Sequence, residues 1–144
     1  MKKLCTYLTL FVLGLLALAQ PAAAKDYTFY FRLPPSGWTT SPGFHWWGFG
    51  NKANVDGSTT SPVSMTLVEG ESNLYSVTLK DANETGGNIM FKNSDSWNPQ
   101  TKAITDIRDG YIYEITSGSG QDCIGEPKEE YTQGGSVTKM YIRG

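Results

Sequence analysis

The sequence predicts an all-β protein, an antiparallel β-sandwich of immunoglobulin-like architecture. Three observations carry that expectation. Between Asp26 and Ile115 the apolar residues recur with period two in short runs, the pattern of strands buried on one face. Clusters of Gly, Pro, Asn, Asp and Ser, which turn the chain, separate those runs. No segment of this stretch sustains a helical period. About six to eight short strands in roughly ninety residues suit two packed sheets better than a barrel, although a closed barrel meets the same pattern.

The first 24 residues stand apart from the fold. Lys2-Lys3 precedes an apolar run from Leu4 to Ala19, and Gln20-Pro21-Ala22-Ala23-Ala24 follows it, the layout of a secretory signal peptide cleaved after Ala24. The run is shorter than the roughly 20 residues a membrane span needs; an uncleaved anchor is the alternative. Cys5 lies inside the run and not after it, which argues against a lipoprotein. Nothing later in the chain is long and apolar enough to span a membrane. The protein is therefore expected to be secreted or periplasmic, and the short Lys-Lys start suits a bacterial exporter.

Residues 25–116 are expected to form one domain and residues 117–144 a linker or tail. The whole chain carries a formal charge of −2, and losing Lys2 and Lys3 makes the remainder more acidic. Binding nucleic acid needs a basic patch, and none is visible. Cys5 leaves with the signal, so Cys123 stands alone and no internal disulfide can form. The fold must then rest on burial, with Cys123 expected as a half-buried, inert thiol. A monomer is expected.

The elements follow in order. Tyr27, Phe29, Phe31 and Leu33 alternate with Thr28, Tyr30 and Arg32, which makes a first strand that stops at Pro34-Pro35-Ser36-Gly37. Gly43-Phe44-His45-Trp46-Trp47 makes a second, followed by a polar loop from Asn51 to Ser61. Val63 to Val68 alternates apolar and hydroxyl residues. After the turn Glu69-Gly70-Glu71-Ser72-Asn73, Leu74 to Leu79 returns with Tyr75, Val77 and Leu79 on one side, completing a hairpin. Asn88 to Lys92, possible pairing residues Ala103 to Ile107, and Tyr111 to Ile115 complete the set, with Asp109-Gly110 as a turn. Beyond Thr116, Ser117-Gly118-Ser119-Gly120 and the charged Glu126-Pro127-Lys128-Glu129-Glu130 read as linker. Val137 to Arg143 has the pattern of a last edge strand.

Catalytic chemistry finds little support. One histidine among aromatic residues, with no Gly-x-Ser-x-Gly elbow, makes a poor nucleophilic triad. A glycosidase needs two carboxylates facing across a cleft, whereas Asp56, Glu69, Glu71, Asp81, Glu84, Asp95, Asp106 and Asp109 mostly sit in turn-like contexts. No cluster of His or Cys has metal-ligand spacing, so neither a metal nor a cofactor is expected. Asp56-Gly57 and Asp95 could supply loop oxygens to calcium, but without EF-hand spacing.

The aromatic residues say more. If Phe44 to Trp47 is a strand, Phe44 and Trp46 face one side and His45 and Trp47 the other. Only one side of a sandwich sheet is core, so one pair is left on the surface, where a large exposed apolar ring calls for a ligand. Phe44 and Trp46 are expected inside. Trp97 lies at the centre of a polar turn segment, Asn93 to Thr101. Indole rings beside amide and ammonium groups suit a sugar: the C–H face of a pyranose stacks on the ring while polar groups take its hydroxyls. Lys92, Asn98 and Gln100 are the candidate polar partners. Trp38, after Pro-Pro-Ser-Gly, suits platform or core equally.

Taken in order, Tyr30-Phe31, Gly37-Trp38, His45-Trp46-Trp47, Pro62-Val63-Ser64-Met65, Leu74-Tyr75-Ser76-Val77, Asn88-Ile89-Met90-Phe91-Lys92-Asn93 and Trp97-Asn98-Pro99-Gln100-Thr101 resemble the starch-binding modules of carbohydrate-binding families twenty-five and twenty-six. The resemblance extends over about Tyr27 to Ile115 and lies in the order and spacing of short pieces. One departure is Ser61-Pro62-Val63-Ser64, where those modules usually carry Trp-Pro-Gly before the methionine. The resemblance implies a non-catalytic β-sandwich that binds α-1,4-linked glucan, as starch or maltooligosaccharide, and is usually an appendage of an amylase. It also implies a cradle of His45 and Trp47 from the strand and Trp97 from the loop, with Lys92 and Gln100 as polar partners. The competing expectation is a secreted protein-interaction or adhesion domain using the same exposed rings as hot spots. A small glycoside hydrolase is the third.

Overall fold

The computed structural model describes residues 23–133, and they form two sheets packed face to face. Strands β1 (Ala24–Arg32), β5 (Leu74–Asn83), β7 (Tyr111–Ser117), β8 (Ile124–Glu130) and the two-residue β4 (Thr66–Leu67) make one sheet, in the order β4-β5-β1-β7-β8. Strands β3 (Val63–Ser64), β2 (Gly43–Trp47) and β6 (Asn88–Lys92) make the other, in the order β3-β2-β6. Residues 1–22 of the signal peptide expected over residues 1–24, and the edge strand expected at Val137 to Arg143, lie outside the described residues. No helix among the described residues is long and apolar enough to cross a membrane.

Period-two patterning fixes which side of each strand is core. On β1, Tyr27, Phe29 and Phe31 are buried while Thr28, Tyr30 and Arg32 are half-buried. On β2, Phe44 and Trp46 point inward; on β6, Ile89 and Phe91 do. The rings meet between the sheets: Phe31 stacks on Phe91 at 4.4 Å, Phe29 lies 5.5 Å from Phe44, and Tyr113 stands edge-on to Phe29 at 6.0 Å. Each such phenylalanine, removed from water entirely, contributes about 1.5–3 kcal/mol.

Most pairings are antiparallel, as expected, but β1 and β7 run parallel, with Tyr30 opposite Ile112 and Phe31 opposite Tyr113. That pair needs a crossover between the sheets, and β2, β3 and β6 occupy the intervening chain. The side chain of Tyr113 then ties a corner. Its hydroxyl donates to the Asp106 carbonyl at 2.8 Å and accepts from the Arg108 N–H at 2.8 Å, resembling the tyrosine corner of immunoglobulin-type sandwiches.

Three expectations change. The single strand expected over Val63 to Val68 breaks at Met65: β3 pairs with β2, β4 pairs with β5, and buried Met65 is the corner where the chain changes sheet. The apolar alternation runs on through the corner, but Leu67 is left 47% exposed on the edge. Ala103 to Ile107 forms no ladder; instead Ile104 exchanges two hydrogen bonds with Ile89, at 2.8 and 3.1 Å, and the Thr101 N–H reaches the Phe91 carbonyl.

The third change concerns the chain beyond Thr116, expected as linker. Strand β7 ends at Ser117, and β8 pairs antiparallel with it from Ile124 to Glu130. Gly118 makes the connection possible: at φ +84° it takes a left-handed conformation, and a methyl group there would collide with the Asp122 carbonyl oxygen at 2.2 Å. The glycine thus serves a tight turn and not flexibility. Cys123 follows this turn and is fully buried, where its N–H and carbonyl bind Gln100 and Lys102 of the segment beside β6. Burial raises its thiol pKa, which keeps it protonated and unreactive.

Candidate functional site

The outer face of the three-stranded sheet carries the exposed rings. Phe44 and Trp46 face the core, so His45 and Trp47 of β2 face out. Across the ladder, His45 lies opposite Met90, Trp47 opposite Asn88 and Gly43 opposite Lys92. Gln100 forms an isolated antiparallel bridge with Lys92, which puts it on the same face. Trp47 is 39% exposed and Trp97 41% exposed; Leu67, the remaining large exposed apolar residue among the described ones, lies on the edge of the other sheet.

His45 stands between the two indoles. Its ring centre is 5.2 Å from that of Trp47, tilted 35°, and 5.4 Å from that of Trp97, at 88°. The two indole planes are therefore steeply inclined to each other, and the three rings form a bent trough. The trough is held from behind. Ser61 shares a hydrogen bond with His45 Nδ1, and the same hydroxyl approaches the Trp46 carbonyl at 3.3 Å. With Nδ1 so engaged, Nε2 is the ring nitrogen left for a ligand. Burial lowers the His45 pKa from 6.5, favouring neutral imidazole, which offers a donor or an acceptor to a hydroxyl.

Trp97 rides on the loop from Asn93 to Pro99, and that loop is anchored along its length. The Asn93 side-chain oxygen accepts from the N–H and the hydroxyl of Thr39, at 2.8 and 2.7 Å, and the Thr39 hydroxyl also meets Ser94. The Asn93 N–H binds the Pro99 carbonyl, closing the loop at its base. Gln121 donates to the Trp97 carbonyl at 3.3 Å.

The expected polar partners divide. Asn98 is exposed, and among the described residues its side chain makes no hydrogen bond, so both its amide groups are open to a ligand. Gln100 is half-buried, and its Oε1 is enclosed without a partner. Lys92 is only 4% exposed; its ammonium donates to the carbonyls of Asn93 at 2.7 Å and Ser94 at 2.9 Å and lies 5.0 Å from the Trp97 ring centre. Burial lowers its pKa and the charge of Asp95 opposes that shift. Trp38 packs at the margin of the core, 5.2 Å from Phe31. The structure thus brings together His45, Trp47 and Trp97, puts Asn98 next to Trp97 along the loop and Gln100 opposite Lys92 with its side-chain oxygen enclosed, places Lys92 beneath the loop, and leaves Trp38 with the core.

Sequence reasoning does not single out Ser61, Thr39, Met90, Gly43 or Gly87. At Gly87 a methyl group would lie 2.6 Å from both the Trp47 carbonyl oxygen and a Phe49 ring carbon. It lets the β6 entry pass close beneath Trp47. No local pattern announces such contacts, because each joins segments distant in sequence. Among the described residues no three His, Cys, Asp or Glu side chains come together as a metal site. No family model, curated protein or solved structure matches this chain.

Proposed function

We propose that this protein is a secreted, non-catalytic carbohydrate-binding module that holds α-glucan, such as starch or maltooligosaccharide, in the trough of Trp47, His45 and Trp97. The observation that carries the reading is the pair of indoles, each about two-fifths exposed, flanking His45 at 5.2 and 5.4 Å. Exposed rings of this size gain by stacking on the apolar face of a sugar. Their steep mutual inclination favours a chain that curves from one ring to the next, as α-1,4-linked glucose does, over the flat ribbon of a β-1,4-glucan. The Asn98 amide and the His45 Nε2 supply hydroxyl partners around the rings.

A small, solvent-facing trough recovers only part of the entropy lost on association, so micromolar to millimolar affinity for short oligosaccharides is expected. Co-sedimentation of residues 25–144 with insoluble starch tests the reading, with cellulose as control and maltooligosaccharide as competitor. Depletion by starch alone, reversed by the competitor, supports it. Indifference to both polysaccharides would sink it and turn attention to a protein partner for the same rings.

A further inference from the structure

Lys92 is the charged residue of the site whose surroundings leave it least able to meet a ligand, and those surroundings give it another task. Its register partner in β2 is Gly43, where a methyl group would stand 2.8 Å from Lys92 Cγ and 3.2 Å from Cδ. The aliphatic stem thus crosses the sheet through space that glycine leaves open. At its end, two of the three ammonium N–H bonds go to the backbone of the loop, at Asn93 and Ser94. The cation then sits 5.0 Å from the centre of the Trp97 ring. An ammonium buried without partners is costly, whereas charge-assisted hydrogen bonds and a ring face together satisfy it. The loop therefore has its lowest free energy closed over Lys92, with Trp97 in place.

We propose that Lys92 is a positioning residue, a buried post that locks the Asn93–Trp97 loop and the face of Trp97 in binding geometry before any ligand arrives, without itself touching the sugar. A ring free to swing must surrender that motion on binding, and the loss appears as weaker affinity. The binding half of this inference rests on the α-glucan reading; the locking half does not.

The test follows the Trp97 indole N–H by 15N heteronuclear NOE in ligand-free protein, together with calorimetric titration of maltoheptaose. The variants are Lys92→Met, which keeps the stem and removes the charge, and Gly43→Ala, which keeps the charge and displaces the stem, with Trp97→Ala as the binding control. The wild-type indole should be as ordered as the β6 backbone. In Lys92→Met and Gly43→Ala it should become mobile on the fast timescale, and affinity should fall at least fivefold.

An indole already mobile in the wild type overturns the proposal. So does an indole that stays ordered in both variants, whatever the affinity; a loss of affinity with the ring still ordered would mean that Lys92 meets the sugar directly. If Lys92→Met does not fold, Gly43→Ala decides on the same two readings. Failure of both to fold also overturns the proposal, because Lys92 would then be holding the sandwich and not the platform. Absence of maltoheptaose binding to the wild type would discard the glucan, while ordered wild-type and loosened variant rings would still support the lock.

Discussion

Trp46 and Trp47 are chain neighbours with opposite fates, because a strand sends successive side chains to opposite faces. Trp46 is buried and Trp47 is not. Trp46→Ala should therefore cost about 3–5 kcal/mol of stability through lost burial and the cavity left behind. Trp97→Ala should cost only about 0.5–1 kcal/mol of stability, the lost contact with the Lys92 ammonium, since the exposed ring contributes little to the core. Its starch binding should fall at least tenfold, a loss of about 1.4 kcal/mol; urea denaturation and co-sedimentation of the two variants check the contrast, and unfolding of Trp97→Ala would show that the ring is structural. His45 sets the pH behaviour of the trough. Its folded pKa lies below 6.5, so the unfolded chain takes up the proton first, and this contribution to stability is intact above about pH 6.5 and declines on acidification until folded His45 protonates as well. His45→Gln should flatten that part of the stability profile. Alternation alone makes His45, Trp46 and Trp47 legible in the sequence. Lys92 is not, because a lysine beside a polar loop reads the same whether it faces solvent or lies under the loop, and only the glycine opposite it, distant in sequence, makes the buried course possible.

At the scale of elements, strands with a steady period are readable and the places where the chain changes sheet are not. Strands β1, β5, β6 and β7 fall close to their expected positions because alternation runs through them without interruption. Val63 to Leu67 misleads because its alternation continues across a change of sheet at Met65, and strand β8 hides behind glycines and charges that resemble a linker. One of its charges is paired on the outer face: Arg32, which pairs with Glu114 of β7 at 3.1 Å, also approaches Glu129 of β8 at 3.9 Å. The Tyr113 hydroxyl joins β7 to the chain that enters it. Tyr113→Phe leaves the Asp106 carbonyl and the Arg108 N–H without that partner, and should cost about 1–2 kcal/mol by urea denaturation with an unchanged m-value. Burial pushes the Tyr113 pKa up to about 12. Stability should therefore fall as pH rises from about 10 towards 12, where the unfolded chain ionises first. The variant should show a shallower fall and not a flat line, since Tyr27 and Tyr30 are shifted in the same direction.

For the whole molecule, the two-sheet architecture is legible and its closing strand is not. A chain ending at Thr116, the boundary the sequence suggests, would lack β8 and with it the buried Cys123 that joins the large sheet to the segment beside β6. It should show no cooperative unfolding transition by calorimetry, whereas a chain ending at Gln133 should melt in one step. Equal cooperativity in both would make β8 dispensable. The place of β1 carries a consequence for how the fold is reached. It sits at the centre of the five-stranded sheet, yet its contacts run far ahead in the chain: Thr28 meets Thr78 across 50 residues, and Arg32 meets Glu114 across 82. Long loops must close before such contacts repay their entropy, which places sandwiches of this kind among domains that fold in milliseconds to seconds and not microseconds. During synthesis, β1 is the first of the described strands to be made and waits longest for its neighbours, so the sheet cannot be completed until nearly the whole described sequence is free to move.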